Sequence, residues 1–265
     1  MSYAMKNRGS TRFGCRRAVS LVHIVQKLRS IVVDESTPWY WEPFDLFKNT
    51  DAGASAAFFA STVKQKYAKG DYIFIANDVG RRIFFLEEGI VKIFNLSPNG
   101  TQTIFWFCVS GDVFGAGGIS GSPFQSVYAQ AVEASTVHFI SRADFEKVMK
   151  QHPQIAINMI RLLGARLRLA CDAMVDISVQ RADSRLARVL LRLAHNYGRR
   201  AGGLVEIRVR VSHQELADMI GCSRQTVNTL LHEFCNNGWI DLKGRTYSIV
   251  SQGDLQEIID TSRTD

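Results

Sequence analysis

Two short helical patterns separated by one glycine constrain this chain more than any other feature. Ser212 and Glu215 have the spacing of a capping box, in which a serine caps the start of a helix and a glutamate three residues later reaches back to it. Beyond Gly221, apolar residues recur at positions i, i+3, i+4 and i+7 of a second helix. These are Val227, Leu230, Leu231 and Phe234. Two short helices joined by a tight glycine turn predict a helix-turn-helix unit.

The outer face of the second helix carries side chains that match the edges of base pairs. Arginine pairs in a bidentate way with guanine, glutamine and asparagine pair with adenine, and threonine serves as donor, acceptor or methyl contact. A recognition helix meets bases with its N-terminal residues. We therefore expect base contacts from this outer face, made by Arg224, Gln225, Asn228 and Thr229. Arg224 is expected to read one guanine, and Gln225 is expected to favour adenine at the neighbouring position.

A β-hairpin is predicted directly after this unit, over residues 239–250. Its tip is basic, formed by Lys243, Gly244 and Arg245. A basic tip beside a helix-turn-helix predicts a wing that contacts the phosphate backbone. The alternative is a solvated turn.

The region from about 63 to 140 contains short apolar runs that are separated by turn signals. The runs lie at 72–76, 82–89, 91–96, 103–109, 127–132 and 136–140. Many short strands with regular turns predict an antiparallel sandwich or roll. No ten-residue helical pattern intervenes, which argues against a parallel doubly wound sheet.

A long helix is predicted from Pro153 to about Val179, after a short helix that starts at Ser141. One of its faces carries an apolar heptad seam typical of a two-stranded coiled coil. The seam is Ala156, Ile160, Leu163, Leu167, Ala170, Met174 and Ile177. A second apolar stripe contains Ile155, Met159, Leu162 and Leu169. Two stripes indicate a helix that packs on its own sheet with one side and on a twin helix with the other; a buried helix in a monomer is the alternative.

The remaining boundaries follow from breaks in these patterns. Residues 180–183 are a hinge candidate, Ser184 is expected to cap a helix over 185–195, 199–203 is expected to be a loop, and 205–211 alternates as a strand. The exposed pair Arg199-Arg200 is a candidate contact for RNA polymerase, with surface solubility as the alternative. The predicted domains are a basic N-terminal extension at 1–40, a sensor domain at 41–152, a dimerisation helix at 153–180, a winged helix-turn-helix domain at 181–255 and a tail at 256–265.

Charge and cysteine content limit the kinds of partner and metal that we expect for this chain. The net charge is +7, and residues 1–33 contain seven Lys or Arg and no Asp or Glu. This balance favours a polyanionic partner, and the extension is either a solvated arm with one docked helix or a basic arm that touches phosphates. Five cysteines without CxxC spacing predict neither a disulfide framework nor a zinc site. A reducing cytoplasm fits this cysteine content best, and no metal is expected. No apolar run approaches the length of a membrane span, so no membrane partner is expected.

The C-terminal stretch VSHQELADMIGCSRQTVNTLLHEFCNNGWIDLKGRTYSIV resembles the DNA-binding domain of the Crp/Fnr family of transcription regulators, and the resemblance extends over residues 60–250. It implies an α+β chain with an N-terminal antiparallel β-roll of the cyclic-nucleotide-binding, jelly-roll type, a long dimerisation helix and a C-terminal winged helix-turn-helix. It also implies a homodimeric regulator that binds a pseudo-palindromic site in double-stranded DNA, and not an enzyme. The residues that correspond to phosphate contacts in the family are Ser212, His213, Ser223 and Thr226.

The sensor half departs from the members that bind a cyclic nucleotide. Their Gly-Glu pair corresponds to Gly115-Ala116 here, and their Arg-Ser pair corresponds to Gln125-Ser126. Their Thr-Ser pair on the long helix corresponds to Ala170-Cys171. A buried phosphate without a balancing cation is costly. The resemblance therefore implies a degenerate effector pocket, in which cyclic AMP is not expected and no cofactor is assigned; another effector, or none, remains open.

Other sensor chemistries of the family are alternatives. An iron–sulfur cluster needs four thiolates, and only Cys15 and Cys108 lie in suitable regions. A haem-responsive protein with His23 or Cys15 as axial ligand, a redox switch at Cys171, and a cyclic-nucleotide-binding module of another class are the remaining hypotheses. The glycine-rich stretch 115–121 lacks the GxGxxG spacing of a dinucleotide site.

Overall fold

The computed structural model describes residues 44–115, 117, 123–179 and 181–261, with the backbone alone for 176–179. The basic extension predicted at 1–40, Ala116, Gln180 and the side chain of Ile177 therefore lie outside the described residues. His23 and Cys15 also lie outside them.

An antiparallel roll of two four-stranded sheets forms the first half, as predicted. Helix α1 (Ala54–Ala60) precedes strands β1 (Val63–Tyr67), β2 (Tyr72–Phe74), β3 (Arg82–Glu88), β4 (Ile90–Leu96), β5 (Gln102–Val109), β6 (Val113–Phe114), β7 (Tyr128–Ala131) and β8 (Ser135–Ser141). The strand orders are β1-β8-β3-β6 and β2-β7-β4-β5. Sequence patterning missed α1, β1 and β6. Strand β1 is an edge strand with mostly exposed side chains, so it lacks the apolar alternation on which strand prediction depends.

Two helices follow the roll. Helix α2 (Arg142–Gln151) begins at Ser141, whose Oγ accepts a hydrogen bond from the Asp144 amide at 3.1 Å. Helix α3 spans Pro153–Val179. Its residues Ile155, Met159 and Leu162 are buried in one apolar cluster with Ile83 and Phe85 of β3. The first three residues of the inner stripe therefore pack on the roll, as predicted, whereas the fourth, Leu169, is half-buried and is not part of this cluster.

The next helix, α4 (Ala182–Tyr197), begins earlier than expected. Ser184 was expected to cap it, which is wrong, because the N-cap is Arg181 and Ser184 lies inside the first turn. Ser184 is buried, and its Oγ donates a hydrogen bond to the Ile258 carbonyl at 3.1 Å. The serine thus ties the start of α4 to the last helix of the chain.

The C-terminal domain combines a small sheet with three more helices. The strands are β9 (Gly198–Ala201), β10 (Leu204–Ile207), β11 (Ile240–Lys243) and β12 (Thr246–Ile249), and their order in the sheet is β11-β12-β10-β9. The helices are α5 (His213–Ile220), α6 (Arg224–Asn236) and α7 (Gln252–Thr261). The loop expected at 199–203 is wrong in part, because 199–201 pair with β10 in a hairpin. The strand expected over 205–211 ends at Ile207, although Val209 and Val211 remain buried beyond it.

The C-terminal domain shares an apolar cluster with one face of the roll. Phe94 of β4 and Ile104 and Phe107 of β5 belong to the same buried cluster as Leu216 and Ala217 of α5. In addition, the Tyr197 hydroxyl donates a hydrogen bond to the Phe107 carbonyl at 2.6 Å. The sheet β2-β7-β4-β5 therefore supports the C-terminal domain directly.

Candidate nucleic-acid interface

The first helix of the predicted helix-turn-helix, α5, begins with a complete capping box. The Ser212 Oγ accepts a hydrogen bond from the Glu215 amide at 3.2 Å, and a Glu215 carboxylate oxygen accepts one from the Ser212 amide at 2.9 Å. Both Ser212 and His213 are half-buried. The box satisfies helix-start amide groups and fixes where α5 begins.

The turn between the helices depends on Gly221. Its backbone is left-handed, with φ 67° and ψ 46°, and its amide donates a hydrogen bond to the Ala217 carbonyl. A residue with a side chain adopts this conformation at a cost, which explains why the sequence has glycine here.

The second helix, α6, buries one side and exposes the other. Val227, Leu231 and Phe234 are buried, and Phe234 packs on Trp239 with ring centroids 5.4 Å apart. Ser223 is the N-cap and accepts a hydrogen bond from the Thr226 amide at 3.0 Å. This cap holds the first turn of α6 in place, and the first turn is where a recognition helix meets DNA.

The four predicted base-contacting residues do not behave alike. Arg224, Gln225 and Thr229 are exposed on the first turns of α6, and the Thr229 hydroxyl donates to the Gln225 carbonyl at 3.2 Å. Asn228 is half-buried, and its Oδ1 makes a short hydrogen bond with Nδ1 of His213. Asn228 therefore links α6 to α5 in this structure, while the side chains of Arg224, Gln225 and Thr229 are exposed at the surface.

The predicted wing is the hairpin β11–β12, with Gly244-Arg245 as its turn. Lys243, Gly244 and Arg245 are exposed, and the Lys243 ammonium lies 3.0 Å from an Asp241 carboxylate oxygen. Tyr247, which pairs with Leu242 close to the turn, is buried, and burial raises its pKa to about 12. The buried Tyr247 side chain thus holds the hairpin on the domain, while the basic tip is exposed to solvent.

The described positions of the predicted effector pocket differ in their burial. Gly115 has φ 72°, and a Cβ there would lie 2.6 Å from the Phe84 ring. Gln125 is 4% exposed, and its backbone amide donates to the Asp78 carbonyl at 2.8 Å. Ser126 and the helix positions Ala170 and Cys171 are exposed, and Ala116 lies outside the described residues.

Sequence reasoning missed one cation near this region. Arg166 of α3 donates a hydrogen bond to the Val113 carbonyl at 2.6 Å, and its guanidinium lies 4.8 Å from the Trp106 ring centroid. The neighbouring Cys108 is buried, and burial raises its pKa to about 12, although the charge of Arg166 opposes the shift. Arg166 falls within the inner stripe, between Leu162 and Leu169, so helical spacing indicated that it faces the roll but not which groups it would contact there.

The heptad seam of α3 is open to solvent in the single chain. Ile160, Leu167 and Met174 are 69%, 67% and 72% exposed. Leu163 and Ala170 are also exposed, and Ala156 is half-buried. An apolar row of this length on one helix is unusual for a surface that stays in water.

Two further properties concern only the described part of the chain. Its His, Cys, Asp and Glu side chains do not form a group of three or more that could hold a metal ion. Among its helices, none is long and apolar enough to cross a membrane.

Comparison with known proteins identifies both halves. A cyclic nucleotide-binding domain matches residues 64–152, and a Crp-like helix-turn-helix domain matches residues 184–258. The chain is 26% identical over 204 residues to the CRP-like cAMP-activated global transcriptional regulator of Mycobacterium tuberculosis, which covers 77% of this chain and 91% of that protein. It is 27% identical over 200 residues to Electron transport regulator A of Shewanella oneidensis, with 76% and 80% covered.

Solved structures share the fold. A variant of CooA from Carboxydothermus hydrogenoformans superposes with a TM-score of 0.69 at 22% identity, covering 82% of this chain and 97% of that chain. The α+β fold predicted from the sequence, with a roll, a long helix and a winged helix-turn-helix, is therefore confirmed.

Proposed function

This chain belongs to the Crp/Fnr family of transcription regulators, and we propose that it binds a pseudo-palindromic DNA site as a homodimer, without a requirement for cyclic AMP. Its helix-turn-helix is a DNA-binding domain of the Crp type. The relatives that match are transcription regulators rather than enzymes.

The exposed face of α6 carries the proposal of sequence-specific binding. Arg224 and Gln225 lie side by side on the first turn, with the Thr229 methyl and hydroxyl one turn further. In a major groove, Arg224 would pair with guanine and Gln225 with adenine. Asn228 would reach a base only if it released His213, so its base contact is the weaker part of the proposed set.

Phosphate contacts would flank this face on two sides. The starts of α5 and α6 bring Ser212, His213, Ser223 and Thr226 to the domain surface, and helix starts attract anions. The exposed wing tip of Lys243, Gly244 and Arg245 supplies two further cations. These contacts would position the domain on DNA without reading sequence.

A second copy of α3 is the proposed partner of the exposed seam. Apolar residues at heptad spacing suit the corresponding row of an identical parallel helix, and burying them removes the cost of exposing them to water. Such a pair would set two α6 helices about 34–36 Å apart, which is one turn of DNA. The seam residues are Ala156, Ile160, Leu163, Leu167, Ala170, Met174 and Ile177.

Cyclic AMP is not the proposed effector because Gln125 carries no charge where the nucleotide-binding members have arginine. Gln125 is buried, so a phosphate beside it would lose water without gaining a cation. An iron–sulfur cluster finds little support at Cys108, whose buried thiol is protonated at physiological pH because its pKa is raised. The redox switch at Cys171, which is exposed, and the haem ligands His23 or Cys15, which lie outside the described residues, stay hypotheses.

RNA polymerase remains a proposed partner through Arg199 and Arg200. Both are exposed on β9, and the Arg199 guanidinium lies 3.9 Å from a Glu206 carboxylate oxygen. The cytoplasm is the proposed compartment, where both DNA and polymerase are present.

The test is selection of duplexes from a random pool by the purified, unliganded protein. We expect a two-fold symmetric sequence to emerge, and we expect the logarithm of its binding constant to fall linearly with the logarithm of the salt concentration. Arg224→Ala should lower affinity and relax the sequence, whereas Arg142→Ala, which removes the same charge from α2, should do neither. A pool without enrichment, or an Arg224→Ala protein that selects the same sequence equally well, would refute the proposal.

A further inference from the structure

A buried lysine of the roll contacts the first helix of the DNA-binding domain. Lys92 lies in the middle of β4 and is 8% exposed. Its Nζ donates hydrogen bonds to Glu215 Oε1 at 3.2 Å and to Gln102 Oε1 at 3.1 Å, and it lies 5.1 Å from the Phe94 ring centroid. A buried ammonium is tolerated only when it is paired, so this contact determines where the lysine and its partner lie.

The carboxylate of Glu215 serves two purposes at once. One oxygen accepts from Lys92, and the other accepts from the Ser212 amide and hydroxyl, both at 2.9 Å. Its side chain is 19% exposed. The start of α5 includes the proposed phosphate contacts Ser212 and His213. The contact between Glu215 and Lys92 therefore links this turn to the roll on its buried side.

This contact leaves the proposed DNA-binding face open. Arg224, Gln225 and Thr229 of α6 are exposed in the same structure, as are Lys243 and Arg245 of the wing. The roll in turn packs on α3 through the cluster that contains Ile155 and Phe85. A chain of contacts thus runs from the long helix through the roll and Lys92 to the start of α5.

We propose that Lys92 is a positioning residue for DNA recognition, which acts through Glu215 to hold the recognition helix in a fixed direction relative to the long helix. The proposal rests on the proposed function. In a homodimer, two recognition helices must reach successive major grooves together, and a loosely held domain loses conformational freedom when it does so. Binding to one half-site has no such requirement.

The two kinds of duplex therefore separate positioning from direct contact. Lys92→Met, which keeps the length and removes the charge, should weaken binding to the selected two-half-site duplex by about tenfold. It should weaken binding to a duplex with one half-site by less than about twofold. Glu215→Gln should act in the same way, because glutamine still completes a capping box but carries no charge.

The matched control is Lys64→Met, which removes one lysine from the other sheet of the roll. Lys64 is 50% exposed and pairs with Glu87 at 2.6 Å. Its loss changes the net charge by the same amount and should leave the ratio of two-site to one-site affinity unchanged. Thermal melting of each variant checks that it is folded.

The combination of both changes tests that the two residues act through each other. The double variant Lys92→Met/Glu215→Gln should lose no more two-site affinity than the more affected single variant. Additive losses, equal losses on both duplexes, or a Lys92→Met protein with wild-type affinity for two sites would overturn the proposal. If Lys92→Met does not fold, Glu215→Gln alone decides by the same two-duplex ratio.

Hydrogen exchange at the first turn of α5 separates this proposal from the proposed function. Without DNA, the amides at 213–216 should exchange faster in Lys92→Met than in Lys64→Met, since the turn has lost its tie to the roll. If the amides exchange faster in Lys92→Met but the native protein selects no duplex, the contact between Lys92 and Glu215 holds and DNA recognition is refuted. Unchanged exchange in a protein that selects duplexes would refute the positioning role alone.

Discussion

Arg224 and Gln225 are adjacent and exposed at the start of α6, and each would read a different base. We predict that Gln225→Glu moves the preference at one position from adenine to cytosine, because a carboxylate accepts from the cytosine amino group but cannot donate to adenine. The position read by Arg224 should keep its guanine. Selection from a random pool with both proteins measures this, and an unchanged preference at every position would contradict the assignment of Gln225.

Cys108 is fully buried, and burial raises the pKa of its thiol to about 12. We predict that iodoacetamide at pH 8 leaves Cys108 unmodified in the folded protein and modifies it after unfolding, as mass spectrometry of peptides would show. Native alkylation at Cys108 would contradict this.

The contribution of Cys108 to the free energy of unfolding depends on pH, and its direction follows from the raised pKa. The folded state favours the protonated thiol, so its contribution to stability is complete below the ordinary thiol pKa and is lost as pH rises toward about 12. Cys108→Ala should therefore flatten the fall in unfolding free energy above pH 9, as denaturant titrations at a series of pH values would show. If the unfolding free energy fell equally steeply with pH in the native protein and in Cys108→Ala, the raised pKa of Cys108 would be contradicted.

At the scale of elements, the turn between α5 and α6 depends on backbone conformation alone. Gly221 has φ 67°, and a Cβ there would meet nothing within 4 Å. We predict that Gly221→Ala costs about 1 kcal/mol of unfolding free energy, because alanine is disfavoured in the left-handed region. Gly253→Ala in α7 is the matched control, since its surroundings are equally open and its φ is not positive; equal effects of the two changes on denaturant unfolding would be incompatible with this explanation.

The exposed seam of α3 makes a prediction about assembly. We expect the native protein to be the proposed dimer and Leu167→Glu to be a monomer, because two carboxylates would face each other in the apolar seam. Sedimentation velocity gives the result directly. Arg161→Glu, an exposed position of the same helix, should leave the dimer intact, and a dimeric Leu167→Glu protein would place the interface elsewhere.

At the scale of the whole molecule, the sensor and the DNA-binding domain are expected to be uncoupled with respect to cyclic AMP. A ligand stabilises the state that it binds and changes the affinity at a second site only through a coupling free energy. We predict that saturating cyclic AMP changes neither the melting temperature nor the duplex affinity. If cyclic AMP raised both the melting temperature and the duplex affinity, it would be an effector of this protein and the prediction would be wrong.

Local features were predictable from the sequence, and distant ones were not. The capping box at Ser212, the turn at Gly221 and the inner stripe of α3 depend on spacings of a few residues, and all three are present except for Leu169 at the end of the stripe. Ser184 was mistaken for a cap because its partner, Ile258, is 74 residues away. Lys92 and Glu215 are 123 residues apart, and neither has a neighbour in sequence that indicates the other. The bond from Asn228 to His213 likewise crosses from one helix to the next, so outward spacing alone overestimated how free that side chain is.

The spacing between half-sites tests the central claim most directly, namely that two α6 helices on a fixed dimer read DNA together. Affinity would be measured for the selected duplex and for one with about five base pairs inserted at its centre, which turns the half-sites to opposite faces of the helix. A rigid homodimer predicts that the insertion reduces affinity to that of a single half-site. Equal affinity for both duplexes would contradict it.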